Sequence, residues 1–263
     1  MAAFPDGVPC WADAMIPDLE GAKRFYGELL GWTFEEGSPE FGNYTEARSD
    51  GLRVAAVVPT PPEMAGSPPS WSIYFASSRV DETARRIQEA GGTSAVDPMD
   101  VADYGRMMIA QDPEGTFFGV WQAGSRTGFE KRGEPGSYVW ATVCVRNSEA
   151  ADAFYPDVMP LEPVSLPGSG SDVDYTVFRA GGHAVAGRLR MDDRFPAEVP
   201  PHVLVHFGVE DCDRAMETVR RLGGEVKSGP TDTPFGRLAV VSDQQGAVFA
   251  VIDPATTTGE RPQ

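Results

Sequence analysis

A run from Cys10 to Pro17, apolar except for Asp13, reads as a strand leading directly to Asp18. Asp18 suits the N-cap of a helix whose apolar stripe is Ala22, Phe25, Tyr26 and Leu29, with Gly31 placed to stop it. Short alternating runs at Trp32–Phe34, Tyr44–Arg48 and Leu52–Val58 predict strands, and the stiff segment PTPPEMAGSPPS after them is a loop. A strand at Trp71–Phe75, a helix at Val80–Ala90 closed by Gly91-Gly92, and a short strand near Thr93–Val96 follow. The run then reaches Gly105–Trp121, GRMMIAQDPEGTFFGVW, which reads as strand, Asp-Pro-Glu-Gly turn, strand.

The whole pattern then starts again. GRLAVVSDQQGAVFAVI at Gly236–Ile252 repeats the hairpin, and Trp140, Tyr155, Gly224 and Arg237 follow Trp11, Tyr26, Gly92 and Arg106 at an offset of about 130 residues. Asn147 is the second N-cap. Strands are predicted at Tyr175–Arg179, Ala184–Arg190 and His202–Val209, with a helix at Asp211–Leu222 closed by Gly223-Gly224. Residues 160–172, rich in Pro, Gly and Ser, read as a mobile loop, and residues 126–137 carry breakers without periodicity and read as a linker. The expected organisation is a first domain at 1–125, a second at 138–255 and a disordered tail at 256–263. The fold class is α+β, built from four βαβββ units.

Composition narrows the function. A net charge of −17 over 263 residues repels phosphate backbones and anionic membranes, so neither nucleic acid nor membrane is an expected partner. Cys10, Cys144 and Cys212 are odd in number and far apart, as free thiols of a reducing compartment are. No basic start with an apolar core and no apolar run of about 18 residues is present, so a soluble, cytoplasmic protein is expected.

AKRFYGELLGW after Asp18, the helix endings AGG and LGG, and the paired hairpins resemble the vicinal oxygen chelate superfamily. That superfamily includes glyoxalase, extradiol dioxygenases and the bleomycin- and fosfomycin-resistance proteins, and the resemblance points to its tandem two-domain actinobacterial branch. It implies two glyoxalase-like domains whose units curl into mixed sheets around cavities. It also implies a divalent metal held by His or Gln on a first strand and Glu on a last strand. Counted along this chain, those positions fall on Trp11, Ser72 and Gly119, and on Trp140, Leu204 and Ala250. None of these side chains suits such an ion, so no cofactor is expected and a divalent metal is disfavoured. His202 and His206 do not rescue a site, because four residues of strand separate them by roughly 13 Å.

Strand alternation still identifies what shares the face of those positions. The candidate ligand-binding residues are Trp11, Asp13, Tyr74, Phe117, Trp121, Trp140, Cys144, His202 and His206. Asp13 in an apolar cavity would have a raised pKa and serve as a general base or a cation anchor; its bland reading is a loop cap. His206 is the second acid/base candidate. Cys144 reads as a small buried hydrophobe, and Arg106 and Arg237 as partners of local carboxylates. The expected function is binding of a small, partly aromatic molecule; the alternatives are a lyase, isomerase or oxygenase-type enzyme, metal-free or with unrecognised ligands, and an interaction protein with vestigial pockets. Both paired domains lie in one chain, so a monomer suffices and a homodimer is not required.

Overall fold

The structure is a computed structural model in which residues 3–165 and 173–258 are described. In the first half β1 (Pro9–Ile16), α1 (Leu19–Leu30), β2 (Thr33–Phe34), β3 (Thr45–Ser49) and β4 (Leu52–Pro59) form one βαβββ unit. A second unit consists of β5 (Ser70–Ala76), α2 (Val80–Glu89), β6 (Thr93–Val101), β7 (Gly105–Gln111) and β8 (Phe117–Ala123). The units join through antiparallel β1–β5 pairing into one eight-stranded sheet, β2-β3-β4-β1-β5-β8-β7-β6.

The second half repeats this with β9 (Tyr138–Val145), α3 (Ser148–Val158), β10 (Glu162–Ser165), β11 (Tyr175–Ala180) and β12 (His183–Arg190). Its last unit is β13 (His202–Gly208), α4 (Cys212–Arg221), β14 (Glu225–Thr233), β15 (Gly236–Ser242) and β16 (Val248–Asp253). The strand order is the same, β10-β11-β12-β9-β13-β16-β15-β14. Both sheets are mixed, curled and open. Each is complete within its own half.

Local chemistry sets the helix ends. The Asp18 carboxylate accepts the Gly21 N–H at 3.0 Å, Asn147 accepts that of Ala150 at 3.1 Å, and Gly31 ends α1 at φ 71° in the left-handed region.

Two expectations change. Residues 162–165 of the supposed loop pair with β11 as edge strand β10, because the Val164 and Ser165 backbone reaches Val177 and Thr176; the rest of that loop, 166–172, lies outside the described residues. Thr256–Thr258 are no loose tail: the Thr257 hydroxyl donates to the Phe235 carbonyl and the Thr258 N–H to that of Pro234, while 259–263 lie outside the described residues. Segment 126–137 joins the halves and is packed, with Phe129 stacked on Tyr138 at 4.7 Å and Glu130 paired with Arg53 at 2.7 Å.

The convex faces of the two sheets meet in a single apolar core, and the helices cross between halves. Phe25 of α1 packs edge-on against Phe249 of β16, and Phe154 of α3 against Phe118 of β8. Burying each such ring contributes about 2 kcal/mol. The hairpin turns complete the joint. Tyr26 donates to Asp243 of the DQQG turn at 2.9 Å, and Tyr155 donates to Asp112 of the DPEG turn at 3.2 Å. The third turn residue then caps the same foreign helix: Gln245 Oε1 accepts the Asp18 N–H at 2.6 Å, and Glu114 accepts those of Arg146 and Asn147 at 3.0 Å. Each hairpin therefore clasps the helix of the opposite half. A hydrogen bond to a buried carboxylate is worth about 1.5–3 kcal/mol.

Candidate functional site

Because odd and even strand residues face opposite ways, the side chains that miss the shared core converge on the two concave faces. On the first face, β1 pairs with β5 so that Trp11 lies opposite Tyr74 and Asp13 opposite Ser72. The Trp11 indole N–H donates to the Tyr44 hydroxyl at 2.6 Å, and the Tyr44 hydroxyl donates to Asp13 Oδ2 at 3.1 Å. The Tyr74 hydroxyl bonds the same carboxylate. Burial pushes the Asp13 carboxyl up to about 6, partly opposed by the hydrogen bonds from Tyr74 and Tyr44. Burial and the neighbouring Asp13 charge raise both tyrosine hydroxyls well above their ordinary range.

The sheet curls far enough for side chains at its two edges to touch. Phe41, before β3, packs against Tyr104 of the β6–β7 turn at 5.6 Å. Arg126 lies over the Tyr104 ring at 5.1 Å and 3.8 Å from Glu46.

The second face carries the same construction with different ends. Trp140 lies opposite His206, and Thr142 opposite Leu204. Trp140 N–H donates to the Tyr175 hydroxyl at 2.8 Å, Tyr175 lies 3.3 Å from Thr142 Oγ1, and Thr142 Oγ1 lies 3.1 Å from His206 Nε2. Gly187 makes this possible, since a Cβ there would sit 1.9 Å from the Tyr175 hydroxyl oxygen. Burial holds the His206 imidazole down to about 4, so it is neutral at pH 7. Cys144, Met191, Leu204 and Ala250 line this face, with Phe195 and Val199 packed over them.

Trp11, Ser72 and Gly119, and their counterparts Trp140, Leu204 and Ala250, carry no imidazole, carboxylate or thiol. The register puts Tyr74 beside Gly119 and His206 beside Ala250 on the last strands. A Cβ on Gly119 would lie 2.1 Å from the Tyr74 ring, so that aromatic occupies the space a carboxylate at this position would need. Among the described residues no three His, Cys, Asp or Glu side chains gather into a metal-binding group. Asp13 is the one carboxylate of its tetrad, and tyrosine hydroxyls already engage it.

Of the residues expected from sequence, Trp11, Asp13 and Tyr74 come together, as do Trp140 and His206. Cys144 joins the apolar lining, and burial raises its thiol to about 12. His202 stands apart: its Nδ1 meets the Pro200 carbonyl at 2.9 Å. Phe117 is 53% exposed at the sheet rim. Trp121 donates to the Arg126 carbonyl at 2.9 Å and lines a cavity of about 230 Å³ with Phe4, Ala76 and Gln122, beside the Asp13 tetrad rather than over it. Trp140 likewise borders a cavity of about 160 Å³ with Val8, Tyr138 and Val185. The hydrogen bonds, not these shallow cavities, locate the polar chemistry. Arg106 pairs with Asp81 and Asp100, and Arg237 with Asp213 and Asp232. Tyr44 and Tyr175 were missed, although they keep the offset that aligns the tryptophans.

Residues 11–120 and 137–251 each match the Glyoxalase/Bleomycin resistance protein/Dioxygenase superfamily. The anthracycline biosynthesis protein DnrV of Streptomyces peucetius is 37% identical over 266 residues, covering 96% of this chain and 95% of that protein. Among solved structures, the Mn(II)-bound glyoxalase from Novosphingobium aromaticivorans superposes with TM-score 0.66 at 16% identity, over 97% of this chain and 87% of the other. The 2,3-dioxygenase LapB from Pseudomonas sp. KL28 does so with TM-score 0.66 at 14% identity, over 100% and 96%. At those identities the structural likeness speaks for the fold alone. The two matched regions, with a full-length relative above 30% identity, show that this chain belongs to the glyoxalase/bleomycin resistance protein/dioxygenase superfamily.

Proposed function

We propose that the protein binds a small, partly aromatic molecule on the concave face of its first half, anchored by Asp13 and without a divalent metal. One observation carries the reading: the Tyr74 ring fills the space beside Gly119 where a last-strand carboxylate would stand. What the face offers instead is a carboxylate among Trp11, Tyr44 and Tyr74. Such a group suits a cation or hydrogen-bond donor attached to a flat ring system. The relative named for anthracycline biosynthesis supports a fused-ring aromatic as ligand class.

The test is a fluorescence titration with 9-aminoacridine, a planar cation, alongside metal analysis of protein from metal-replete cultures. Saturable binding that falls at least tenfold in Asp13→Asn, with substoichiometric metal, is expected. One tightly held divalent ion per chain, or binding indifferent to Asp13→Asn, overturns the reading.

A second reading rests on the Asp13 carboxyl itself. At about 6 it stands near neutrality, where a general base works well. If the protein turns over a substrate, Asp13→Asn lowers kcat by about 10²–10⁴-fold and removes a pH-rate limb near 6. Unchanged kcat removes Asp13 from that role. His206, held neutral at about 4, is poorly matched to proton abstraction at pH 7.

A further inference from the structure

The two ends of the first sheet are joined by side chains, not by strand pairing, since β2 and β6 are its edge strands. Tyr104 and Arg126 belong to one end. The N–H groups of Arg126 and Gly124 donate to the Tyr104 carbonyl at 3.0 and 2.9 Å, and the Trp121 indole fixes the Arg126 carbonyl at 2.9 Å. Phe41 belongs to the other end, in a segment whose backbone bonds close on themselves. Ser38 accepts the N–H groups of Phe41 and Asn43 at 3.1 and 2.8 Å, and Phe41 accepts that of Tyr44 at 3.1 Å. The neck of this segment is Tyr44, which is bridged to Ser38 and whose hydroxyl joins Trp11 to Asp13. Its tip, Phe41, is held across the mouth by the Tyr104 ring.

The closure is weak on both sides of the balance. One tilted ring pair, one cation over a ring and one ion pair at 3.8 Å hold it shut. Within the charged cluster the Arg126 side chain is 38% exposed, Glu46 19% and Arg53 10%, so Arg126 is the outermost member. Glu46 Oε2 and Arg53 Nε and Nη1 are buried without hydrogen-bond partners. Keeping those atoms from water unbonded costs about as much as the closing contacts contribute, and an element so balanced opens locally. The second half has no such pair. At the offset that aligns Tyr44 with Tyr175, Val177 stands for Glu46, Phe235 for Tyr104 and Thr257 for Arg126.

We infer that segment 38–44, closed against Tyr104 and Arg126, is a strap that gates entry to the concave face of the first half and carries Tyr44 onto Asp13 when shut. Its purpose rests on ligand binding at Asp13; its existence does not. Opening withdraws Phe41, gives water to Glu46 and Arg53, and clears the approach to the Asp13 carboxylate.

The test places 4-fluorophenylalanine at position 41 of the full-length protein and follows its fluorine resonance. Expected are microsecond-to-millisecond exchange in the parent and a single resonance at the solvent-exposed shift in Tyr104→Ala. Arg126→Gln should raise the open fraction about threefold. Access is read separately, by peptide mass spectrometry of Asp13 amidation with a water-soluble carbodiimide and glycinamide at about pH 5, where this carboxyl is protonated. Amidation should run about fivefold faster in Tyr104→Ala, while Asp243, buried at the crossed clasp, stays unlabelled because the fold is intact. Neither readout requires a ligand, so failure of 9-aminoacridine to bind and failure of the strap are separate results. A Phe41 resonance without exchange, or Asp13 amidation no faster in Tyr104→Ala than in the parent, overturns the inference.

Discussion

The two concave faces begin alike and end differently. Each starts with a tryptophan indole donating to a tyrosine hydroxyl, Trp11 to Tyr44 and Trp140 to Tyr175. In the first half the chain ends on a carboxylate that accepts; in the second it ends on a buried, neutral imidazole. Two substitutions between equivalent strand positions account for the difference: Asp13 against Thr142, and Tyr74 against His206. One scaffold therefore presents end groups of different charge without changing a strand. The backbone places the groups, and the last residue of each chain sets the charge presented there.

The harshest challenge to this pairing is to place a carboxylate on the last strand beside Tyr74. Gly119→Glu drives a side chain into the Tyr74 ring, and a destabilisation of about 3 kcal/mol or more is expected, read as a lower denaturation midpoint. Adding Tyr74→Ala should return part of it. If Gly119→Glu alone melts like the parent, Tyr74 does not hold that space.

The pH dependence sharpens the contrast, because the two ends pull stability in opposite directions. Asp13 rises from 3.8 unfolded to about 6 folded, so its contribution is full below 3.8 and is lost as pH rises through 6. The loss amounts to about 3 kcal/mol at 1.36 kcal/mol per unit. His206 falls from 6.5 unfolded to about 4 folded, so stability is whole above 6.5 and drops by about 3 kcal/mol as pH falls through 4. Between pH 4 and 6 the two slopes nearly cancel in the parent. Asp13→Asn should raise stability at pH 7 and expose a protein that weakens with acid. His206→Phe should expose one that weakens as pH rises. Identical denaturation profiles for both variants across that range would dissolve the contrast.

The smallest expected effect tests whether the halves are as symmetric on their convex sides as they are divergent on their concave ones. Tyr26→Phe and Tyr155→Phe each remove one hydroxyl from a buried carboxylate, and each should lower unfolding free energy by about 1–3 kcal/mol. Tyr26 also accepts the Trp71 indole N–H at 3.0 Å, so its loss should lie at the larger end. Equal values would show that the Trp71 bond adds nothing.

Much of this architecture was legible in the alternation of side chains and in the repeat. The caps at Asp18 and Asn147, the glycine-ended helices and the hairpins are local signals, and local signals survive in a linear reading. Alternation also placed Asp13 and His206 on concave faces. What stayed hidden was non-local. Tyr44 and Tyr175 reach their faces from third-strand positions, and only sheet register brings them to Trp11 and Trp140. Phe129 lies in a segment without periodicity, yet it is buried against Tyr138, because packing there follows the joint between halves rather than any strand pattern. Edge strand β10 was lost in a stretch of Pro, Gly and Ser whose pairing depends on β11 alone.

The crossed clasps bear on how the chain becomes one molecule. Turn 112–115 grips a helix that begins at Ser148, and turn 243–246 grips one that begins at Leu19. Neither half, made by itself, has the partner that seals its own helix and covers its convex face. A chain split between 126 and 137 should therefore yield two fragments that are poorly ordered apart and recover native order on mixing. Two such chains could also trade halves without altering a single clasp, which makes an exchanged dimer the characteristic hazard of this fold at high concentration.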